Sequence, residues 1–251
     1  GEQRGARDAF RGERLTMLLS IKNLDFFVRK SHILRSISLD VNEKEIVGLL
    51  GRNGAGKSSI IKCILGLYAP KSGSILFKGE EITTVSTRQR VLSGLAYAPE
   101  DARVFPELSV KENVKLSTWI IEKRQDGKTF DLEQGFEIFP KLRDLWERKG
   151  GNLSGGEKKM VSVTRALALK PDLLLLDESF EGLSPLVVRH FSNAMGRIRD
   201  MGISILLAES NLANTARVAG RAYVIERGEA IFQGTPREID QEESLNLILG
   251  R

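Results

Sequence analysis

The sequence predicts an α/β fold built on a parallel sheet with helices on both faces. Short and almost wholly apolar runs, such as "EIVGLL", "LLLLD" and "ISILLAE", alternate with stretches of helical period. Runs this continuous in Val, Ile and Leu suit strands buried on both faces, and covering helices provide that burial. A glycine-rich loop follows one such run and opens a helix, as in a strand–loop–helix unit.

Order is expected to begin at Met17, a candidate natural start. The preceding "GEQRGARDAFRGERLT", residues 1–16, reads as a flexible leader. "MLLSIKNLDFFV" reads as a strand, and "SISLDV" alternates apolar and polar residues as a half-exposed strand does. "EIVGLL" is a buried strand bounded by Gly51; a helix from about Lys57 to Leu67 follows its loop. "GSILFKG" and "GLAYAPE" are further strands, the second stopped by Pro99. From Val110 to Lys149 the texture changes. "VKENVKLSTWIIEKRQ" and "DLEQGFEIFPKLRDLWERK" space their apolar residues at helical intervals and predict a mostly helical insert. Next come the strand "DLLLLDE", a helix over Pro185–Met201, the strand "ISILLAES" and another helix. "RAYVIERGEAIFQG" predicts a hairpin turning at "ERGE".

With 251 residues, 41% hydrophobic and 28% charged, the chain has the composition of a soluble globular protein with a sizeable core. No apolar run approaches the roughly 18 residues that read as a membrane span, and residues 1–16 lack the apolar stretch of a secretory signal. One cysteine, Cys63, excludes an internal disulfide and suits a reducing compartment, so the cytosol is expected. The net charge of +5 is spread among intermixed acids and bases, too mild an excess to argue for nucleic acid.

Three stretches carry chemistry. "GRNGAGKS", Gly51 to Ser58, matches G-x-x-x-x-G-K-[ST] in full and stands between a buried strand and a helix. Gly51, Asn53, Gly54, Ala55, Gly56 and Ser59 belong to a loop and helix start whose backbone N–H groups turn toward phosphate oxygens, assisted by the helix dipole. Lys57 would reach the β- and γ-phosphates and Ser58 would bind Mg²⁺. Such an ATPase also needs a carboxylate near the metal, expected on the strand beside this loop. Asp177 at the end of "LLLLD" suits that role through a water on Mg²⁺; Glu178 is the candidate general base or water-positioning group. Both lie at the C-terminal edge of a parallel strand, where open α/β sheets bind ligands. "LSGGE", Leu153 to Glu157, makes a second loop-to-helix junction, a second anion site in its own right or simply a Ser-capped helix.

In this order, "GRNGAGKS", "LSGGE" and "LLLLDE" resemble the nucleotide-binding subunit of an ABC transporter, over about Leu18 to Gly250. The resemblance implies a P-loop NTPase core of RecA-like type, with an N-terminal antiparallel β subdomain and a helical subdomain inserted over about residues 100–165. It implies ATP and Mg²⁺ as cofactors. Two such domains meet head to tail, so that Ser154, Gly155 and Gly156 touch the γ-phosphate held by the partner. "YAPEDARVFPELSVKENV", "LSGGEKKMVSVTRAL", "DESFEGLSPLVV" and "AESN" are further similar to the branched-chain amino-acid importer ATPases. Close relatives in that branch serve urea, amides or small organic acids. The implied partners are polytopic membrane permease subunits, reached through residues Pro99 to Val114, a second ATPase subunit (a paralogue or a copy of this chain) and, indirectly, a solute-binding protein. The implied place is the cytoplasmic face of the membrane, and no nucleic acid is implied. Lipid and lipopolysaccharide exporters use the same domain. Soluble ABC ATPases of DNA repair or translation carry coiled-coil, zinc-binding or tandem-domain insertions, and this sequence shows no Cys cluster, heptad run or second P-loop.

Several positions depart from the general family pattern. Glu100 stands where most such ATPases have Gln, which puts a potentially negative acceptor beside Mg²⁺. Ser210 takes the place of the usual His or Gln near the γ-phosphate; either a water bridges the gap or hydrolysis slows, unless Ser210 only ends a strand. Val28 stands where adenine is usually stacked by Tyr, leaving Phe27 as the candidate stacking residue, with a core role as the alternative. Ser210 and Val28 would fit a regulatory paralogue, whereas Glu178 and the intact "LSGGE" oppose one.

Overall fold

The computed structural model describes residues 16–121 and 130–250. All of the expected leader except Thr16 falls outside the described residues. The chain opens with a long antiparallel pair, β1 (Met17–Val28) and β2 (Ser31–Asn42), and then enters the core as β3 (Ile46–Leu50). The glycine-rich loop leads into α1 (Lys57–Leu65). β4 (Ser72–Phe77) returns to pair with β1, and the two-residue β5 (Glu80–Glu81) closes a four-stranded sheet of order β2-β1-β4-β5. After α2 (Thr87–Ser93) and β6 (Leu95–Ala98) come four helices, α3 (Val110–Ile121), α4 (Leu132–Ile138), α5 (Lys141–Leu145) and α6 (Gly155–Leu167). The rest runs β7 (Leu173–Asp177), α7 (Pro185–Asp200), β8 (Ser204–Glu209), α8 (Leu212–Ala216), β9 (Arg221–Glu226), β10 (Glu229–Gly234), α9 (Pro236–Gln241) and α10 (Glu243–Leu249).

The second sheet has the order β10-β9-β3-β8-β7-β6. Its four pairings from β9 to β6 are parallel, and only β10 runs antiparallel, as the expected hairpin requires. Every residue of β3, β7 and β8 is buried, which is why these strands read as unbroken apolar runs. Two large clusters line opposite faces of this sheet. Leu49, Leu175 and Leu206 meet Ile60 and Ile64 of α1 on one side; Leu174, Leu176 and Leu207 meet Val163 of α6 and Phe191 of α7 on the other.

The carboxylate strand reaches the glycine-rich loop without pairing with the strand that feeds it, because β8 pairs with both and separates them. Helix α1 packs across β8 and against β7, and this crossing brings its first turn over the end of β7. The helical insert differs in detail. The period over residues 131–149 is interrupted where Phe139 leaves helical geometry (φ −127°, ψ 82°) ahead of Pro140, whose ring disfavours a helical residue before it. Two short helices result in place of one.

The C-terminus of α1 is finished by a side chain from α2. Arg90, 1% exposed, donates to the Cys63 and Ile64 carbonyls at 2.8 and 2.7 Å and to those of Val85 and Thr83 at 2.8 Å each. A buried cation here satisfies carbonyls that the last helical turn leaves open and opposes the negative end of the helix dipole. Cys63 lies fully buried on the same helix, and burial pushes its thiol up to about 12. We expect Arg90→Met to lower unfolding free energy by about 3 kcal/mol, because several buried acceptors lose their donor together. Urea melts of the two proteins measure this, and a loss under about 0.5 kcal/mol would show that the cap contributes little.

Candidate functional site

The glycine-rich loop takes its shape from close backbone approaches. A Cβ on Gly51 would lie 2.3 Å from the Ile225 carbonyl oxygen, and Gly56 caps α1 with φ 115°, a left-handed conformation that glycine adopts freely. Neither acidic residue nor side-chain cap stands at the start of α1, so its first turn is left open to an anion. Asn53, Gly54, Gly56, Lys57, Ser58 and Ser59 line one open pocket together with Glu100, Glu178 and Glu181, and Ile33 forms its side.

Beneath this pocket the expected side chains meet. Ser58 Oγ donates to Asp177 Oδ1 at 2.9 Å across 119 residues of sequence. Asp177 is 2% exposed, and its other oxygen accepts from the Tyr97 hydroxyl at 3.2 Å. Burial first, and then the Asp177 charge, push the Tyr97 phenol above its usual range, so it stays a donor. Lys57, 4% exposed, donates to the Gly51 and Arg52 carbonyls at 2.7 and 3.2 Å and lies 2.9 Å from Glu178 Oε1. Glu178 follows the strand in a left-handed conformation (φ 46°), costly for a side-chain-bearing residue and held by its N–H bond to the Ala208 carbonyl at 2.9 Å. Its Oε2 accepts from the Ser210 N–H at 3.2 Å and the Ser210 hydroxyl at 3.4 Å. Ser210 therefore holds the candidate base directly.

Two groups of predicted residues lie outside this pocket. Phe27 does not line the pocket. Its ring stacks on His32 with centroids 4.1 Å apart, and the Lys71 ammonium stands 4.7 Å over it. Those contacts lie on the ring proposed to stack on adenine; Val28 beside it is exposed. Ser154, Gly155 and Gly156 likewise lie outside the pocket. Ser154 and Gly155 are exposed, and the three residues open α6 with a capping box: the Glu157 N–H donates to Ser154 Oγ, and the Ser154 N–H donates to the Glu157 carboxylate at 2.8 Å. Although partial burial works against its ionisation, Glu157 is held down at about 2 by Lys141, 2.8 Å away, and by the capping bonds. The Ser154 hydroxyl only accepts within the cap, so its own proton is free to be donated outward.

The pocket carries an excess of acid. Glu100 is pushed up by partial burial and by Glu181, Asp177 and Glu178. Glu209, at the end of β8, is 1% exposed; burial pushes it up to about 8, the neighbouring Glu178 adds to this, and its Oε1 accepts from the Phe180 N–H at 2.9 Å. Lys159 of α6 donates to the Glu178 and Glu181 carbonyls at 2.6 and 2.9 Å. Tyr97, Glu209 and Lys159 are the site residues the sequence reading passed over. Glu209 had a visible signal, a carboxylate ending a buried strand just as Asp177 does. Tyr97 had a weaker one, a polar tip near the end of "GLAYA". Nothing in the sequence around Lys159 marks it.

Among the described residues no group of three or more His, Cys, Asp or Glu side chains could hold a metal. The Ser58–Asp177 pair supplies two hard oxygen donors in contact, and this fits Mg²⁺, which takes one or two protein oxygens and completes its shell with water and phosphate.

A glycine-rich phosphate loop facing a strand-end Asp-Glu pair defines a nucleoside triphosphatase. Comparison with known proteins narrows the class. The family model described as ABC transporter matches residues 34–181. The chain is 34% identical over 218 residues to the high-affinity branched-chain amino acid transport ATP-binding protein BraG of Pseudomonas aeruginosa, covering 87% of this chain and 93% of that protein. It is 35% identical over 235 residues to the lipopolysaccharide export system ATP-binding protein LptB of Escherichia coli, covering 92% and 95%. An ATP-binding cassette of an ABC transporter, crystallised in its ADP conformation, superposes with a TM-score of 0.81 at 24% identity, covering 94% of this chain and 98% of that one, and so shares the fold. The chain belongs to the ABC transporter family, as an ATPase whose hydrolysis of ATP is coupled to transport. No described helix is long and apolar enough to cross a membrane.

The environment of Glu209 makes stability depend on pH. In the unfolded chain a glutamate titrates near about 4.3, whereas the fold holds this one near 8. Folding keeps its full stability below about pH 4 and loses some as pH rises toward 8, where the buried carboxyl ionises beside Glu178. Lys159 and Lys57 also face the group and moderate the loss. Glu209→Gln keeps an acceptor for Phe180 and removes the ionisation. Between pH 5 and pH 8.5 it should lose less stability than the wild type, by a margin on the order of 3 kcal/mol. Thermal melts across that range test this, and parallel curves would refute it.

Proposed function

We propose that this chain is the ATP-hydrolysing subunit of an importer for branched-chain or related amino acids, bound to the cytoplasmic face of the membrane through permease subunits carried on other chains. The similarity to BraG supports the substrate class. The observation that carries the mechanism is the separation of the two phosphate-binding elements. Ser154 and Gly155 stand exposed, Gly156 half-buried beside them, and all three outside the pocket that the P-loop lines, so their donors serve a nucleotide held by a second subunit, a paralogue or a copy of this chain.

In this reading Lys57 and the loop N–H groups bind the β- and γ-phosphates. Ser58 and Asp177 would hold Mg²⁺, with Glu100 at the margin of the site. When bound, Mg²⁺ neutralises charge on the phosphate oxygens. Lys57 releases Glu178 as it turns to phosphate oxygens. Glu178 keeps its bonds from Ser210, which hold the freed carboxylate toward the space where a water would attack, and there it accepts that water's proton. Ser210 acts by orienting Glu178, a task that needs only a donor, which a serine is long enough to perform here. Hydrolysis then removes the contact between one subunit's phosphate and the other's Ser154 loop, and the pair reopens. The helices between β6 and β7, with the 99–114 segment, pass that movement to the permease.

Glu178→Gln should bind ATP within about threefold of wild type and lose at least 100-fold in kcat, read by equilibrium binding of a fluorescent ATP analogue and by phosphate release; normal turnover would sink the base assignment. Lys57→Ala should weaken ATP binding at least 10-fold, and unchanged affinity would remove the P-loop role. The transport assignment is tested by tagging the chain in its own cells, solubilising the membranes mildly and identifying what co-purifies. Two polytopic proteins, a second ATPase and a solute-binding protein with an amino-acid ligand are expected. A lipopolysaccharide-handling complex of the kind LptB serves by its name, or soluble partners only, would overturn it.

A further inference from the structure

We propose that Lys159 is a positioning residue for Glu178 and ties the loop that serves the partner's nucleotide to the base that serves this chain's own. The inference rests on the reading of Glu178 given above. Lys159 lies on the first turns of α6, five residues after the Ser154 cap. Its ammonium crosses to the turn that follows β7 and donates to the carbonyls of Glu178 and Glu181, at 2.6 and 2.9 Å. The first of these bonds falls on the carbonyl of the residue in left-handed geometry, and the second closes the turn three residues on. A backbone in that region is held by its surroundings, so bonds to the carbonyls at both ends of the turn act on the direction in which the Glu178 side chain leaves the chain.

The junction has further contacts. A Cβ on Gly156 would lie 3.3 Å from Val187 and 3.5 Å from Leu183, so the opening of α6 already rests on the segment just beyond the same turn. The Lys159 ammonium is faced by Glu209, Glu181, Glu100 and Glu178, and its charge relieves their mutual repulsion. Three of those carboxylates line the nucleotide pocket. A displacement of α6 by the partner's phosphate is thus delivered to the Glu178 turn through one side chain, with no need for motion of the sheet. This is a device for making the two sites of a pair respond to each other.

Lys159→Met keeps the length of the side chain and removes its donors, and Lys159→Arg keeps charge and donors. Three readouts on the purified full-length protein separate positioning from plain stability: the melting temperature, the affinity for a fluorescent ATP analogue, and amide hydrogen exchange over residues 176–184. Phosphate release gives kcat. For Lys159→Met we expect a melting temperature within about 3 °C of wild type, ATP affinity within about twofold, exchange over 178–182 at least 10-fold faster, and kcat at least 10-fold lower. Lys159→Arg should recover most of both. Unchanged exchange in Lys159→Met, or a kcat loss that Lys159→Arg does not relieve while exchange is restored, would overturn the proposal. A wild type that hydrolyses no ATP even with its membrane partners would count against the proposed function; the exchange measurement decides the strut in that case too.

Discussion

The bond from Ser58 to Asp177 sets the geometry on which the remainder of the site depends. One partner opens α1 and the other ends β7, and the strand between them, β8, keeps their own strands apart. The bond forms only because α1 crosses the end of β8. That crossing fixes the depth at which the phosphate loop sits over the sheet, and it leaves the end of β8 roofed by Lys57 and flanked by Glu178. Glu209 and Ser210 occupy that roofed position. Their properties follow: one is a carboxyl starved of water, the other a short donor aimed at the Glu178 side chain.

Charge balance gives the site its second constraint. Glu100, Asp177, Glu178, Glu181 and Glu209 converge where Lys57 and Lys159 are the cations that face them. Such an arrangement is poorly compensated as it stands and favours the arrival of positive charge, which suits a metal-bearing triphosphate. It also explains why Glu178 is drawn onto Lys57 at 2.9 Å. The same lysine is claimed by a carboxylate and would be claimed by phosphate, so in the proposed mechanism nucleotide binding and release of Glu178 are one event.

Where sequence reading succeeded, the information was local. β1 matches "MLLSIKNLDFFV" residue for residue, and the β9–β10 hairpin turns where "ERGE" marks it. The P-loop residues were legible because their spacing is dictated by a single ligand, and Asp177 and Glu178 because a buried strand rarely ends in paired acids without use for them. The order of strands was not legible: whether β8 or β7 lies beside β3 depends on pairings among runs of equal hydrophobicity. Everything that follows from that order was hidden with it, including the burial of Glu209 and the Ser210–Glu178 bond. The Phe139–Pro140 break had a local signal in the proline, but apolar spacing on both sides masked it. The Lys159 contacts, 19 and 22 residues away in sequence, arise from the docking of a helix on a turn and have no periodicity to betray them. The neighbours of Phe27 were hidden for a related reason, since His32 and Lys71 reach it through strand pairing and a loop.

The cap that Arg90 places on α1 has an experimental consequence. It seals Cys63, the one thiol of the chain, inside the helix that carries the phosphate loop. A thiol pushed up to about 12 and shielded on all sides does not react while the fold is closed. Labelling by a thiol reagent therefore counts openings of this helix, one molecule at a time, with no engineered probe. Because the phosphate loop leads straight into the nine-residue helix that carries the sulfur, a nucleotide that grips one end of α1 is reported by silence at the other.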